Sequence, residues 1–369
     1  MTPPSLQDGI EQAGSPINLV WKPDPTPLTP EVLPPEYAGW RAEQTAWHEA
    51  VALADLSHHM FDTVIEGPDA TRLLDEVSAN NYRTFAVGQA KQFIPVAPDG
   101  NILSDGILLR ESEHRYTLSG IPVAQNWVTY HGRTGGYDVT FSTDPSSAYR
   151  GGADPVLFRF QVQGPLAADL VARVFGGPLP ATKFFHTTPV RLGDRTFRAL
   201  RHGMAGQPGY EFIGDYADHD FVEEALLTAG AEFGLVRVGA MAYPTSGAES
   251  GWIPSPTPAL YTDPGLLDYR RWLPLYGIEG QRPLGGSFFS ENIEDFYCTP
   301  YELGYGRSIS FDHDFIGRDA LRKSRDDVRR QRSPWRSTVT TCTASSAPTP
   351  ASSTTTAVSA SSATTPWPG

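Results

Sequence analysis

One arrangement occurs twice in this chain, about a hundred residues apart, and it limits the fold more than any other feature. Thr63 to Val77 (TVIEGPDATRLLDEV) reads as a short strand, a Gly67-Pro68 corner and a helix with its apolar stripe at Leu73, Leu74 and Val77. Phe160 to Val174 (FQVQGPLAADLVARV) repeats the corner at Gly164-Pro165 and the stripe at Leu170, Val171 and Val174. The segments downstream of each copy also correspond. In the first copy, strand-like Gln92 to Ala97 leads through a Pro98-Asp99-Gly100-Asn101 turn to strands near Ile102 to Arg110 and Arg115 to Ser119, then a helix from Pro122 to Tyr130. In the second, strands near Thr188 to Leu192, Thr196 to Arg201 and Tyr210 to Gly214 precede a helix from Asp218 to Phe233, stopped by Gly234. Two tandem β-α-β-β-β-α units predict an α+β fold of two packed layers with a cleft where they meet, and ligand sites favour such junctions.

The flanks read differently. Residues 1 to 36 form a lead-in that is proline-rich from 23 to 35, and Tyr37 to Leu56 carries Trp40, Trp47 and Val51 at roughly helical spacing. The catalytic region is expected over 37 to 330, with the repeats at about 60 to 135 and 157 to 235 and a loop-rich segment from 236 to 330. From Ser333 the chain is mostly Ser, Thr, Ala and Pro, a disordered composition. Permitted codons around Arg332 to Thr343 can also be written so that a shifted frame spells an alternating strand and a turn, so a frameshifted tail is expected over 331 to 369.

Composition excludes several classes. With 42 acidic against 29 basic residues the net charge is −13, and no Lys/Arg block offers a nucleic acid a basic face. Two cysteines, Cys298 and Cys342, make neither a disulfide framework nor a multi-Cys zinc site. No leader-like start or membrane-length apolar run is present, so a cytoplasmic location with no membrane partner is expected. Neither G-x-G-x-x-G after a strand nor G-x-x-x-x-G-K-[ST] occurs. His58-His59 and Asp312-His313-Asp314 are poor metal ligands because adjacent side chains rarely converge on one ion, and no metal is expected. Gly247-Ala248-Glu249-Ser250-Gly251 has Glu where a nucleophile elbow has Ser.

Two segments are left to carry chemistry. Met241 to Pro256 (MAYPTSGAESGWIPSP) sets Tyr243, Glu249 and Trp252 among small residues and prolines with neither helical nor strand periodicity, as a loop serving a site would. His202 to Gly214 (HGMAGQPGYEFIG) leads through glycines into a strand presenting Glu211, whose carboxylate can accept two parallel N–H bonds from the amidine-like edge of a pterin. A surface Glu at a strand start is the plain alternative.

RHGMAGQPGYEF resembles the R-x-x-x-x-G-x-x-G-[FY]-E pattern of the folate-binding glycine-cleavage T-protein (aminomethyltransferase) family. NILSDGILLR is similar to that family's I-L-D-D-L-[IV] strand, and TPYELGYGRSISFDHDFIGRDALRK to its T-P-x-E-x-G-x-G … F-I-G-[RK]-x-A-L signature. The likeness covers roughly 37 to 325. Two departures matter: the usual R-L-E-A-G is Gly247-Ala248-Glu249-Ser250-Gly251 here, without its Arg, and Asp-Asp has become Ser104-Asp105. AYPTSGAESGWIPSPTPALYT, EYAGWRAEQTAWHEAVALADLSHHM and LGGSFFSENIEDFYCTPYELGYG resemble the branch of tetrahydrofolate-dependent O-demethylases acting on vanillate- or syringate-type acids.

That resemblance implies tetrahydrofolate as methyl acceptor and a small methoxylated aromatic acid as donor. It implies Glu211 and Gln161 on the pterin, Trp252 as a flat wall, Glu249 pinning backbone or cofactor, and Asp105 near the reacting nitrogens. Tyr243 is expected as general acid, because a phenol matches the proton affinity of a phenoxide leaving group. Arg110 is expected on the substrate carboxylate, with Arg41 and Arg115 as rivals, and Tyr37 in the aromatic pocket. The families' C-terminal barrel is expected to be missing. A true aminomethyltransferase and a non-catalytic folate-binding protein are the rival readings.

Overall fold

The computed structural model describes residues 3–22, 32–254, 256–328 and 330. The lead-in opens with two short helices, α1 (Leu6–Ala13) and α2 (Pro16–Val20). Ser5 and Asp8 form a reciprocal capping box that starts α1. Helix α3 (Trp40–Glu49) ends at Ala50, and Val51, expected on the same helix, instead opens strand β1 (Val51–Asp55). Tertiary pairing overrides the local period here: β1 runs parallel to one strand of the second repeat and antiparallel to another.

The first repeat comprises β2 (Phe61–Glu66), α4 (Ala70–Glu76), β3 (Ala90–Phe93), β4 (Gly106–Arg110), β5 (Arg115–Gly120) and α5 (Pro122–Thr134). It is extended by β6 (Thr140–Asp144) and a short α6 (Ser147–Arg150). The second comprises β7 (Leu157–Gln163), α7 (Ala167–Phe175), β8 (Thr187–Leu192), β9 (Arg195–Arg201), β10 (Gly209–Asp215) and α8 (His219–Gly230), followed by β11 (Leu235–Val238). Each repeat builds its own sheet, in the orders β3-β4-β5-β2-β6 and β8-β9-β10-β7-β1-β11. The four repeat strands therefore have the same order in both, and each sheet continues with a strand antiparallel to the repeat's first. Among the described residues both sheets are open at their edges, and neither closes into a barrel.

The corner glycines show how deep the equivalence runs. Gly67 has φ +149° and Gly164 φ +133°. A Cβ at Gly67 would lie 2.2 Å from the carbonyl oxygen of Asp138, and one at Gly164 would lie 2.5 Å from that of Ala50, the residues just before the added strands. Each corner thus lets a neighbouring backbone pass where only glycine leaves room. The first repeat departs from expectation between 94 and 105. Asn80 Oδ1 accepts from the Ile94 amide (2.8 Å) while its Nδ2 donates to the Gln92 carbonyl (2.6 Å), so β3 stops at Phe93.

Strand alternation fixes the layers. In β7, Phe158, Phe160 and Val162 turn to one face and join Phe212, Leu170 and Leu226 in a core under α7 and α8. In the first sheet, Ile65, Leu108 and Leu118 join Leu73, Leu74 and Trp127 in a core under α4 and α5. The opposite faces meet each other, and they are polar: Arg159 of β7 reaches Asp62 of β2, and Arg198 of β9 reaches Glu111 beyond β4. The order is helices, sheet, sheet, helices, with the polar layer at the centre.

The segment from 236 to 330 adds α9 (Tyr243–Glu249), α10 (Leu267–Trp272), α11 (Ile278–Gln281) and α12 (Arg318–Ser324) between loops. The stretch without readable period thus holds two turns of helix, started by Pro244 and packed closely through buried Ser246 and Gly247. The α1 amide of Leu6 donates to the Leu273 carbonyl after α10, so lead-in and loop-rich segment pack together. No described helix is long and apolar enough to cross a membrane. The tail from 331 lies outside the described residues, and the frameshift reading with it.

Candidate active site between the two sheets

The centre of the polar layer is Arg159, 6% exposed, whose guanidinium ties the sheets together. It donates to Glu211 Oε1 of β10 (2.7 Å), to Asp62 Oδ2 (2.9 Å) and to Ser119 Oγ of β5 (2.9 Å). Three buried charges in hydrogen-bonded contact fix the geometry of the layer, since an unpaired member would be costly to bury. Glu211 Oε1 is thereby occupied, while Oε2 has His202 Nδ1 3.8 Å away.

Gln161 faces Glu211 across the β7–β10 pair and is 1% exposed. Its Oε1 lies 3.3 Å from His202 Nδ1. Because an amide oxygen only accepts, that contact puts the proton on Nδ1 and turns Gln161 Nε2 away from the histidine. Nε2 is buried and has no partner. Burial also lowers the His202 pKa, with Glu211 pulling the other way, so its ring is neutral at pH 7.

Two hollows lie side by side on this face. The larger is bounded by Glu211, Arg159, Arg198 and His202 together with Leu109 and Phe185. Phe185 holds its ring there from a left-handed backbone (φ +57°), a conformation a bulky residue rarely adopts. The smaller is bounded by Gln161, Gln163, Trp47, Tyr243 and Ser246. Tyr243 packs edge-on against the His59 ring at 5.1 Å. Burial, with the Glu211 carboxylate nearby, raises its phenol well above the ordinary value of 10.0 and keeps it protonated.

Asp105 stands one residue before β4 and is 4% exposed. Its Oδ2 accepts from Gln92 Nε2 (2.6 Å), Trp252 Nε1 (3.0 Å) and the Tyr305 hydroxyl. Burial pushes its pKa up against the pull of these donors. Asp105 and Trp252, the expected wall, therefore belong to one cluster apart from Tyr243, and Trp252 is 39% exposed.

Other expected residues sit apart. Glu249 accepts from His48 (2.7 Å) and Trp47 (3.2 Å) and also meets Gln44, so its carboxylate fastens α9 to α3. The Arg110 guanidinium is spent on the backbone carbonyls of Phe85, Ser112 and Glu113. Of its rivals, Arg115 is paired with Glu111 and Arg41 lies over Trp40. Tyr37 lies under the Arg237 guanidinium, 4.3 Å from it, and borders neither hollow.

With this geometry in view, residues 31–255 match the GCVT N-terminal domain family. The chain belongs to that family. This GCVT-family chain is 39% identical over 319 residues to the syringate O-demethylase of Sphingobium sp. (strain NBRC 103272 / SYK-6), covering 86% of this chain and 69% of the relative. It is 29% identical over 297 residues to the sesamin methylene transferase of Sinomonas sp. (strain No.22), covering 79% and 63%. The crystal structure of glycine cleavage system aminomethyltransferase T from Bartonella henselae shares the fold, with a TM-score of 0.56 at 19% identity over 80% of this chain and 69% of that one.

Arg159, His202 and Tyr305 were not singled out from the sequence. Arg159 was within reach, since Arg159, Gln161 and Gln163 alternate with Phe158, Phe160 and Val162, and the polar set had to face something other than a core. Tyr305 lies inside the TPYELGYG motif, but nothing local says that its hydroxyl meets Asp105.

Proposed function

We propose that this chain transfers a methyl group from a methoxylated aromatic acid to N5 of tetrahydrofolate. The observation that carries the reading is the pairing of a fixed carboxylate, Glu211, with the unpartnered Gln161 Nε2 on one sheet face, beside a phenol held protonated. The same chain is 39% identical to a syringate O-demethylase.

The residues fit a reduced pterin. Glu211 Oε2 would accept from its amino-pyrimidinone edge, Gln161 Nε2 would donate to a ring acceptor, and Phe185 would supply an apolar surface. Bound there, tetrahydrofolate supplies the nucleophilic nitrogen. The methyl group would pass from the aryl oxygen to that nitrogen, the bonding pair staying on the oxygen, and the proton lost from the nitrogen would restore the Tyr243 phenol after it has protonated the oxygen. Tyr243 would deliver its proton to that oxygen, which would otherwise leave as a phenoxide; burial raises its pKa above that of a free phenol, so it is a weaker acid than the matched phenol expected from the sequence. Arg159 keeps Glu211 in place from behind, and His202 sets the Gln161 amide. Asp105, held through Oδ2, stands at the β4 end of the layer as a second polar anchor.

The aminomethyltransferase reading is weaker because Gly247 to Gly251 lacks the Arg and Ser104 replaces one Asp. Incubating the purified protein with tetrahydrofolate and vanillate or syringate, then assaying 5-methyltetrahydrofolate, tests the proposal. Methylated product is expected, and its absence with every methoxylated acid tried would overturn it.

A further inference from the structure

Gln163 is the next inward residue after Gln161 on β7, 4% exposed, and it neither holds the pterin nor moves a proton. Its Oε1 is buried without a hydrogen-bond partner. A bare amide oxygen in a protein interior leaves its desolvation unreturned by a bond, so the position can take a donor from outside the chain. The backbone packs closely around its stem, and only glycine fits at 209 beside it. Gln163 pairs across the sheet with Ala52 on one side and Gly209 on the other, and a Cβ at Gly209 would lie 2.9 Å from Gln163 Cβ.

Glu211 and Gln161 stand opposite each other on β10 and β7, and Gln163 is the next position on the same face of β7, about 7 Å from Gln161 by the two-residue strand rise. With the first two on the pterin, the proton donor Tyr243 draws the methyl donor toward Gln163, because Gln163 and Tyr243 line one hollow. The hollow shared by Gln163 and Tyr243 has room for about one water molecule, which is the size of a hydroxyl and far too small for a ring. Of the groups on a methoxylated aromatic acid, the methoxy oxygen and the carboxylate only accept. A ring hydroxyl donates.

We infer that Gln163 is a specificity-determining residue whose Oε1 accepts from a ring hydroxyl adjacent to the reacting methoxy group, selecting ortho-hydroxylated aryl methyl ethers. This inference rests on the demethylase reading. Its test compares 4-hydroxy-3-methoxybenzoate with 3-methoxybenzoate, which lacks only the hydroxyl, in the wild type and in Gln163→Met. The expected wild-type preference in kcat/KM is about 10- to 100-fold, the effect of leaving one buried acceptor unpaired. Gln163→Met is expected to erase the preference by slowing the hydroxylated substrate, with tetrahydrofolate affinity by calorimetry unchanged. Equal wild-type kcat/KM for both substrates overturns the inference whatever the variant does, as does a variant that slows both alike. Product from neither substrate overturns the demethylase reading itself, a distinct outcome.

Discussion

Tyr243 separates binding from chemistry at the level of single residues. It is held protonated by burial and touches no part of the Glu211–Arg159 pair by hydrogen bond. Tyr243→Phe should therefore lower kcat by about 10²- to 10⁴-fold while leaving tetrahydrofolate affinity near the wild-type value, measured by turnover and calorimetry on the same preparation. Arg110→Ala, in contrast, should leave KM for the aromatic acid unchanged, because its guanidinium serves three backbone carbonyls. Steady-state kinetics with varied aromatic acid checks this. Arg110 shows where residue-level reading stops. A planar cation at a strand end fits a carboxylate on paper, yet the adjacent 111–114 turn and the Phe85 carbonyl claim it first. Glycine spacing ahead of a strand is the local signal that singles out Glu211, whereas Gln161 enters only through the family resemblance, and the His202 contact that turns the Gln161 amide is a product of tertiary packing.

Among the elements, the weight falls on the contact between sheets. Arg159 of β7 holds carboxylates from β2 and β10 at once. Arg159→Met should destabilise the fold by about 3–5 kcal/mol in denaturant unfolding, because Asp62 and Glu211 would stay buried without their cation. The variant should also weaken folate binding, since Glu211 would lose the group that aims it. The two repeats were legible as elements, down to the Gly-Pro corners, because strand, corner and stripe are each encoded within a few residues. β1 and α9 were not. β1 is a strand because β7 and β11 flank it, and α9 is a helix that packs through Ser246 and Gly247 rather than through an apolar stripe.

For the whole molecule, pH reports on how the inserted β1 is tied to the second repeat. His219, at the start of α8, lies 3.1 Å from Asp55 at the end of β1 and 2.8 Å from Asp220. Burial opposes its charge, but the hydrogen bonds to Asp55 and Asp220 outweigh it and push its pKa to about 9. A histidine raised above its unfolded value of about 6.5 stabilises the fold fully below that pH. The contribution is lost as pH rises through about 9. Allowing for solvent screening of a partly exposed pair, stability should fall by on the order of 1–2 kcal/mol between pH 6.5 and 9, and His219→Asn should flatten that slope in urea titrations. The duplicated α+β architecture was evident from sequence because two copies of one pattern need two sheets. That the sheets would meet through a charged layer was not, because it depends on which face of each strand turns inward.

The central claim is that Glu211, steadied by Arg159 of the neighbouring strand β7, grips a reduced pterin. Isothermal titration of tetrahydrofolate into the wild type and into Glu211→Gln tests it most directly. Saturable heat with the wild type, and affinity about 10- to 100-fold weaker in the variant, is the predicted result for loss of a charge-assisted hydrogen bond. No heat with the wild type, or the same affinity in both proteins, would contradict it.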